Sequence, residues 1–428
     1  MSGTPQSKGW CPSAWRPMLT GDGYLVRLHF SCGIVSSEQA RVVASLARRY
    51  GNGFIDLTRR ANLQIRGVAG DGIDQLQREL LAGGLIAQNA QGVETPNVVA
   101  SPLSGRDRTA LIDIRPLVQK LEEGLASAHI IPDLPAKFCI LLEDGGRFSL
   151  RDIDSDIAFE ACHEGPFAVR IGSKERVGFV ETGDIADTAL ALVTAFVTLA
   201  KSGSRPARRM RELVVEGRVS AILPSCLALG RAFTTSWSAR DDVNGRAKPG
   251  YDAVGFIADD ILGVAAPFGS LQADQLALIA DLADLHAGGE LRLTPWRAIL
   301  MPAIASGTIN HIGNECARAG LVTDPSNPRR HVAACSGAPG CVSASVETRN
   351  IAEELAPLLR PRDTLHVSAC AKSCASSSAA SLTLVGREGR FDLIRDGRPG
   401  DTPVLVGLSP EGARAAIKGI AAEKRGHV

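Results

Sequence analysis

Two stretches of this chain are copies of one unit, which constrains its fold more than any other feature. Residues 24–65, YLVRLHFSCGIVSSEQARVVASLARRYGNGFIDLTRRANLQI, align without a gap to residues 260–301, DILGVAAPFGSLQADQLALIADLADLHAGGELRLTPWRAILM. A shift of 236 positions sets Gly33 on Gly269, Gln39 on Gln275, Leu46 on Leu282, Gly53 on Gly289, Leu57 on Leu293 and Thr58 on Thr294. Each copy reads as a strand, a glycine turn, a helix beginning near Ser37 or Ala273, a glycine break and a second strand. In copy one Ala40, Val43, Ala44 and Ala47 recur at helical spacing, and FIDLT alternates apolar and polar positions.

The duplication extends further. PNVVASPLSG (96–105) aligns with RHVAACSGAPG (330–340) at an offset of 234, which puts Ser101 opposite Cys335, and amphipathic helices over 183–201 and 407–424 end the two halves. The expected fold class is mixed, α+β with α/β. The chain is internally duplicated and pseudo-twofold, each half being a small α+β module followed by a larger α/β module. At 428 residues it is too long for one core. The turn-rich stretches 95–106, 238–253 and 323–330 divide it into modules at 15–90, 91–240, 245–310 and 323–428, and ligand pockets tend to form between such units.

The net charge of +1, with no long block of one sign, argues against nucleic-acid binding. The first twenty residues hold no apolar run. The longest such run, TALALVTAFVTLA (188–200), is too short to span a bilayer and suits a buried helix. The expectation is a cytoplasmic protein with no membrane contact.

Ten cysteines are too few for a disulfide scaffold of this size, and in a reducing compartment paired cysteines point to metal or redox chemistry. Cys335 and Cys341 are spaced C-x5-C in CSGAPGC; Cys370 and Cys374 are spaced C-x3-C in CAKSC. Four thiolates suit a [4Fe–4S] cluster or a structural zinc, and the five-residue loop fits zinc less well than the shorter zinc spacings. Cys11, Cys32, Cys139, Cys162, Cys226 and Cys316 show no pairing by spacing and read as structural.

The cysteine pattern and the duplication together resemble the sulfite/nitrite reductase superfamily. Within it, CPSAWRPMLTGDGYLVRL (11–28) resembles the opening of the precorrin-3B synthases. The resemblance implies two ferredoxin-like half modules, two larger modules, and a [4Fe–4S] cluster on Cys335, Cys341, Cys370 and Cys374. It also implies a mononuclear non-haem iron and a need for reducing equivalents, which in a chain without a nicotinamide or flavin motif are expected from an external electron donor. The implied activity is monooxygenation of precorrin-3A at C20 with O2, forming a γ-lactone, in cobalamin biosynthesis. In the reductase branch the last cysteine, here Cys374, would bridge to sirohaem. A sirohaem-dependent sulfite or nitrite reductase is therefore the alternative, and a non-catalytic metal-binding protein is a second one.

Against the reductase motif Thr-x-Arg-x-x-x-Gln, this chain supplies Thr58, Arg60 and Gln64, so the resemblance gives Arg60 the role of holding tetrapyrrole carboxylates. Of the reductases' Lys-x-Lys pair only Lys137 remains, with Cys139 in the second place, and Pro96 stands where an arginine is common. Two missing cations favour a tetrapyrrole as substrate over sirohaem with a small anion. The planar guanidinium fork matches carboxylates. The further candidates are thus Arg16, Arg27, Arg66, Arg208, Arg209 and Arg211. None of the eight histidines forms a His-x-Asp/Glu dyad; His163–Glu164 and His311 with Glu315 are the nearest pairs, and no iron ligand is assigned. No G-x-G-x-x-G opens a helix, so no nicotinamide or flavin site is indicated.

Overall fold

The structure is a computed structural model. It describes residues 10–87, 97–163, 165–172, 175–202, 206–222, 233–234, 252–258 and 260–423. Pro96, Glu164, Cys226 and most of the 238–253 boundary lie outside the described residues.

The two copies fold alike, and element bounds repeat at the same shift of 236. Helix Ser37–Tyr50 answers to Ala273–His286, Ile73–Ala82 to Ile309–Arg318, and strand Phe54–Leu57 to Glu290–Leu293. Both long helices open on a capping box: Ser36 with Gln39, Gln272 with Gln275. Ala40, Val43, Ala44 and Ala47 are fully buried. Their small side chains let the two long helices pack together, an approach also held by Ser37 Oγ donating to Asp284 (3.0 Å) and by Arg41 bridging Asp281 and Asp284.

The copies also exchange strands. The first sheet runs Met18–Thr20, Gly23–Leu28, Leu63–Val68, Phe54–Leu57, and is completed by Ser270–Gln272 from copy two. The second runs Gly255–Ala258, Ile261–Ala265, Ala298–Met301, Glu290–Leu293, and is completed by Ile34–Ser36 from copy one. One apolar core, with Val26, Leu28, Ile65, Leu271, Leu291 and Ile299, therefore serves both. The half modules fold as a pair, because each lacks an edge strand without the other.

The larger modules repeat one topology. Strands Asn97–Ala100, Cys139–Glu143 and Ile157–Ala161 are parallel, then Phe167–Ile171 and Glu175–Val180 turn antiparallel, with Phe233–Thr234 at the edge. Strands Val332–Ala334, Leu365–Ser368 and Ala380–Arg387 are likewise parallel, followed by antiparallel Arg390–Gly397 and Leu405–Leu408. By length and composition the segment Thr182–Ala200 could cross a membrane. Here its helix, Ile185–Ala200, buries Ala189, Leu192, Val193 and Phe196 completely in the core of the first large module. Burial of each large apolar side chain there contributes about 2 kcal/mol.

Candidate functional site

Strand register builds one wall of a cleft. Arg27 pairs with Gln64 across the first sheet, Gln64 with Asp56, and Asp56 with Ser270 of the exchanged strand. Side chains alternate along a strand, so this row faces away from the core that Val26, Ile65, Ile55 and Leu271 fill. With the Gln64 amide oxygen turned toward Arg27, Arg27 Nη2 and Nε donate to it over 2.8 and 2.9 Å. Arg349 closes the row: Nη2 donates to Asp56 Oδ1 (2.7 Å) and Nη1 to Ser270 Oγ (2.9 Å).

The cleft, about 480 Å³, brings Arg27, Arg60, Gln64, Arg66, Lys137 and Arg209 together with Cys335 and Cys374. These residues do not have equal freedom. Arg66 is buried, 5% exposed, and is satisfied by Asp22 (2.8 Å), Asp56 (3.6 Å) and the carbonyl of Gly340. It fastens the cysteine loop to the first sheet. Arg209 is held by the buried carboxylate of Asp156 (2.9 and 3.1 Å), which raises its pKa against the cost of burial. Arg60 donates to the carbonyl of Lys137, and the Lys137 side chain is exposed. Arg208, grouped with Arg209 by sequence, is exposed and lines neither this cleft nor the one beside it. Arg16 stacks on Trp10 (4.3 Å), and Arg211 reaches Asp154 at 3.9 Å; neither lines the cleft.

The cysteine loops leave the carboxyl ends of two adjacent parallel strands, the usual place for a ligand in such a sheet. Cys335 follows Val332–Ala334; Cys370 and Cys374 follow Leu365–Ser368. Cys335 Sγ accepts the backbone N–H of Ala369 (3.3 Å), and its carbonyl accepts Thr348 Oγ1 (2.6 Å). Ser368 Oγ donates to the carbonyl of Cys370 (2.7 Å). Gly337 takes a left-handed turn (φ 62°) against Thr348, where a Cβ would collide. All four thiols are free, and Cys374 is the most exposed. Its pKa is raised by burial and then by the nearby sulfurs of Cys335, Cys370 and Cys341. Four free thiols close enough to act on one another, with a backbone N–H already on one sulfur, are a fitting ligand set for an iron–sulfur cluster.

Among the described residues no three His, Cys, Asp or Glu side chains are arranged to hold a single metal ion. His311 reaches Glu315 only at 3.9 Å on a helix surface, and His163 is exposed. His366 is fully buried with neither ring nitrogen bonded; burial, then the Arg297 charge, lower its pKa to about 4.

Sequence reasoning missed Cys11, Asp56, Arg59, Arg297 and Arg349, all of which line the cleft. Cys11, read as structural, is buried at the cleft wall. Arg297 was within reach: the 236 shift carries it onto Ala61, inside the motif that holds Arg60.

The family described as "Nitrite/Sulfite reductase ferredoxin-like half domain" matches residues 16–83 and 259–318, the two copies. The chain is 31% identical over 406 residues to a precorrin-3B synthase of Sinorhizobium sp., covering 92% of this chain and 84% of that one. It is 27% identical over 422 residues to a ferredoxin–nitrite reductase of Synechococcus elongatus, covering 90% and 80%. The solved structure of the Mycobacterium tuberculosis NirA protein superposes with a TM-score of 0.74 at 20% identity, covering 94% of this chain and 81% of that one.

Proposed function

The chain belongs to the precorrin-3B synthase family of the nitrite/sulfite reductase superfamily, and on that premise we propose that this oxidoreductase is a precorrin-3A monooxygenase. It would hydroxylate C20 with O2 and form the γ-lactone of precorrin-3B, a step of cobalamin biosynthesis. The observation that carries the reading is a single cleft in which Arg27, Arg60, Lys137, Arg297 and Arg349 face the loops bearing Cys335 and Cys374. A macrocycle fringed with acetates and propionates needs such scattered cations, and the guanidinium fork can take each carboxylate with two hydrogen bonds.

Cys335, Cys341, Cys370 and Cys374 would hold a [4Fe–4S] cluster, which when bound supplies single electrons. The electrons come from an external donor, as the ferredoxin in the names of the nitrite reductase relatives suits. The chain's own work is positioning. Arg60 and Lys137 at the rim and Arg27 on the floor grip carboxylate arms, and Arg66 and Arg349 hold the floor itself in place through Asp56. Leu25 and Phe268 supply an apolar surface for the ring and exclude water from it. No ligand set is assigned to a mononuclear iron.

A nitrite reductase, with the sirohaem that the superfamily resemblance implies, is the second reading, favoured by the relatives named ferredoxin–nitrite reductase. The site of the missing second lysine counts against it. Cys139 is fully buried among Val99, Leu141, Leu150 and Ala158, with its thiol pKa raised by burial, so it offers no cation to a small anion.

The deciding experiment is anaerobic purification with iron and sulfide analysis and a visible spectrum, followed by precorrin-3A and O2. The expected result is a cluster spectrum and a hydroxylated lactone. A tetrapyrrole spectrum in the purified protein, or no product with the cluster intact, would overturn the monooxygenase reading.

A further inference from the structure

A second cleft, about 610 Å³, opens on the other side of Phe268, Gly269 and Arg297. Both clefts are lined by these three residues and by Arg59, Ile153 and Ala375. The second is walled by Pro267, Pro295 and Trp296.

The duplication explains how they meet. Each copy turns from one strand to the next through the same five-residue turn. In copy one Thr58 N donates to Asn62 O (3.0 Å) and Ala61 N to Thr58 O (3.2 Å); in copy two Thr294 N donates to Ala298 O (3.0 Å) and Arg297 N to Thr294 O (3.2 Å). Ala61 and Arg297 hold the same left-handed backbone, φ 52° and 60°. The conformation therefore belongs to the turn, and the arginine is what copy two adds. Copy one contributes Arg59 and Arg60, copy two Trp296 and Arg297, and the two turns line adjoining clefts.

Arg297 has no carboxylate partner among the described residues. Its Nη2 donates to Ala375 O (3.3 Å), and its Nε is buried and unbonded. Arg349 Nε is buried and unbonded too. Arg59 and Arg349 both repel the Arg297 charge, and Asp56, already shared by Arg349 and Arg66, offsets them in part. Gly269 leaves room for this side chain, since an added Cβ would collide with Arg297 Cδ. Arg59, Arg297 and Arg349 gather around Asp56, which Arg66 also claims, so positive charge is in excess at the junction, costly to bury unless an anion arrives. Ligand pockets run from about 300 to 1,000 Å³. A tetrapyrrole with its carboxylate arms belongs at the upper end, which neither cleft reaches alone.

We propose that the two clefts are one binding site: the macrocycle lies across the Phe268–Gly269 ridge, Arg297 takes a carboxylate arm at the junction, and Trp296 packs on the ring in the second cleft. This rests on the tetrapyrrole reading above and names residues outside the motif that suggested it.

The test uses the full chain with its cluster and uroporphyrin, a stable polycarboxylate macrocycle, as the probe, titrated by absorbance. Arg297→Gln should weaken binding at least about tenfold, as loss of a charge-assisted bond does, and Arg297→Lys should restore little of it. Trp296 lines the second cleft and not the first, and it also stacks on Phe148 (5.4 Å). Trp296→Phe keeps an aromatic packing partner there, shortens the surface offered to the ring and should also weaken binding. Trp296→Ala, shown by circular dichroism to be folded, should weaken it further, which keeps the test open if Arg297→Gln does not fold. Parental affinity in Trp296→Ala or in folded Arg297→Gln, with Arg60→Gln weakened, would overturn the two-cleft site and leave the tetrapyrrole reading standing. A parent protein that binds no uroporphyrin would sink both.

Discussion

The backbone N–H of Asp144 donates to Ser101 Oγ over 3.0 Å, the same bond that Ala369 makes to Cys335 Sγ over 3.3 Å. The strands beneath agree: Ser101 N donates to Leu142 O, and Cys335 N to Val367 O. The first half thus keeps the cysteine loop's architecture with oxygen in place of sulfur. Ser104 Oγ then closes the space by donating to Asp144 Oδ2 (3.1 Å). Ser101→Ala leaves the Asp144 N–H buried without a partner and should cost about 1–3 kcal/mol. Urea unfolding measures the loss, and the cluster spectrum should not change.

In the second half the same position carries the proposed chemistry. Cys335→Ala and Cys370→Ser should each lose iron, sulfide and activity together, measured by metal analysis and turnover. Activity surviving in cluster-free protein would show that the four thiols only stabilise the fold.

Much of this was legible because duplication conserves spacing. The 236 shift predicted the paired helices, and the 234 offset predicted Ser101 opposite Cys335, because helix caps and strand ends tie residue types to positions. The strand exchange was not legible. Ile34–Ser36 and Ser270–Gln272 have the pattern of any short strand, and nothing local says whose sheet each joins. Arg208 and Arg209 are adjacent in sequence, yet only Arg209 meets a buried partner, Asp156. Arg349 was invisible because its carboxylate partner, Asp56, lies 293 residues away.

Arg60 and Arg66 are neighbours in sequence with different fates. Arg60→Ala should weaken tetrapyrrole binding about tenfold or more, with stability and the cluster spectrum unchanged. Arg66→Ala should destabilise the protein by about 1–3 kcal/mol, since it removes the buried bonds to Asp22 and to the Gly340 carbonyl, while Asp56 keeps Arg349 and Asp22 keeps Thr20 and Asn52. Titration of ligand and thermal unfolding of both variants separate the two. A fully stable Arg66→Ala would show that the loop needs no such fastening.

A pH dependence of stability follows from the first large module. Glu143 and Glu160 lie side by side on parallel strands, both buried. Glu160 stays ionised, paired with Arg170 (2.7 Å), whereas Glu143 has no ion pair among the described residues and accepts the backbone N–H of Leu150 (3.1 Å). Burial, then the Glu160 charge, push the Glu143 carboxyl from 4.5 up to about 7. Between these values the folded chain holds a proton that the unfolded chain has released, so stability falls as pH rises from about 4.5 to about 7. The loss from this one group is at most roughly 3 kcal/mol, at 1.36 kcal/mol per unit. Glu143→Gln keeps the bond from Leu150 and cannot ionise, so its stability should exceed the parent's at pH 8 and match it near pH 4.5. Urea unfolding across that range measures the difference, and an unchanged slope in Glu143→Gln would place the pH dependence elsewhere.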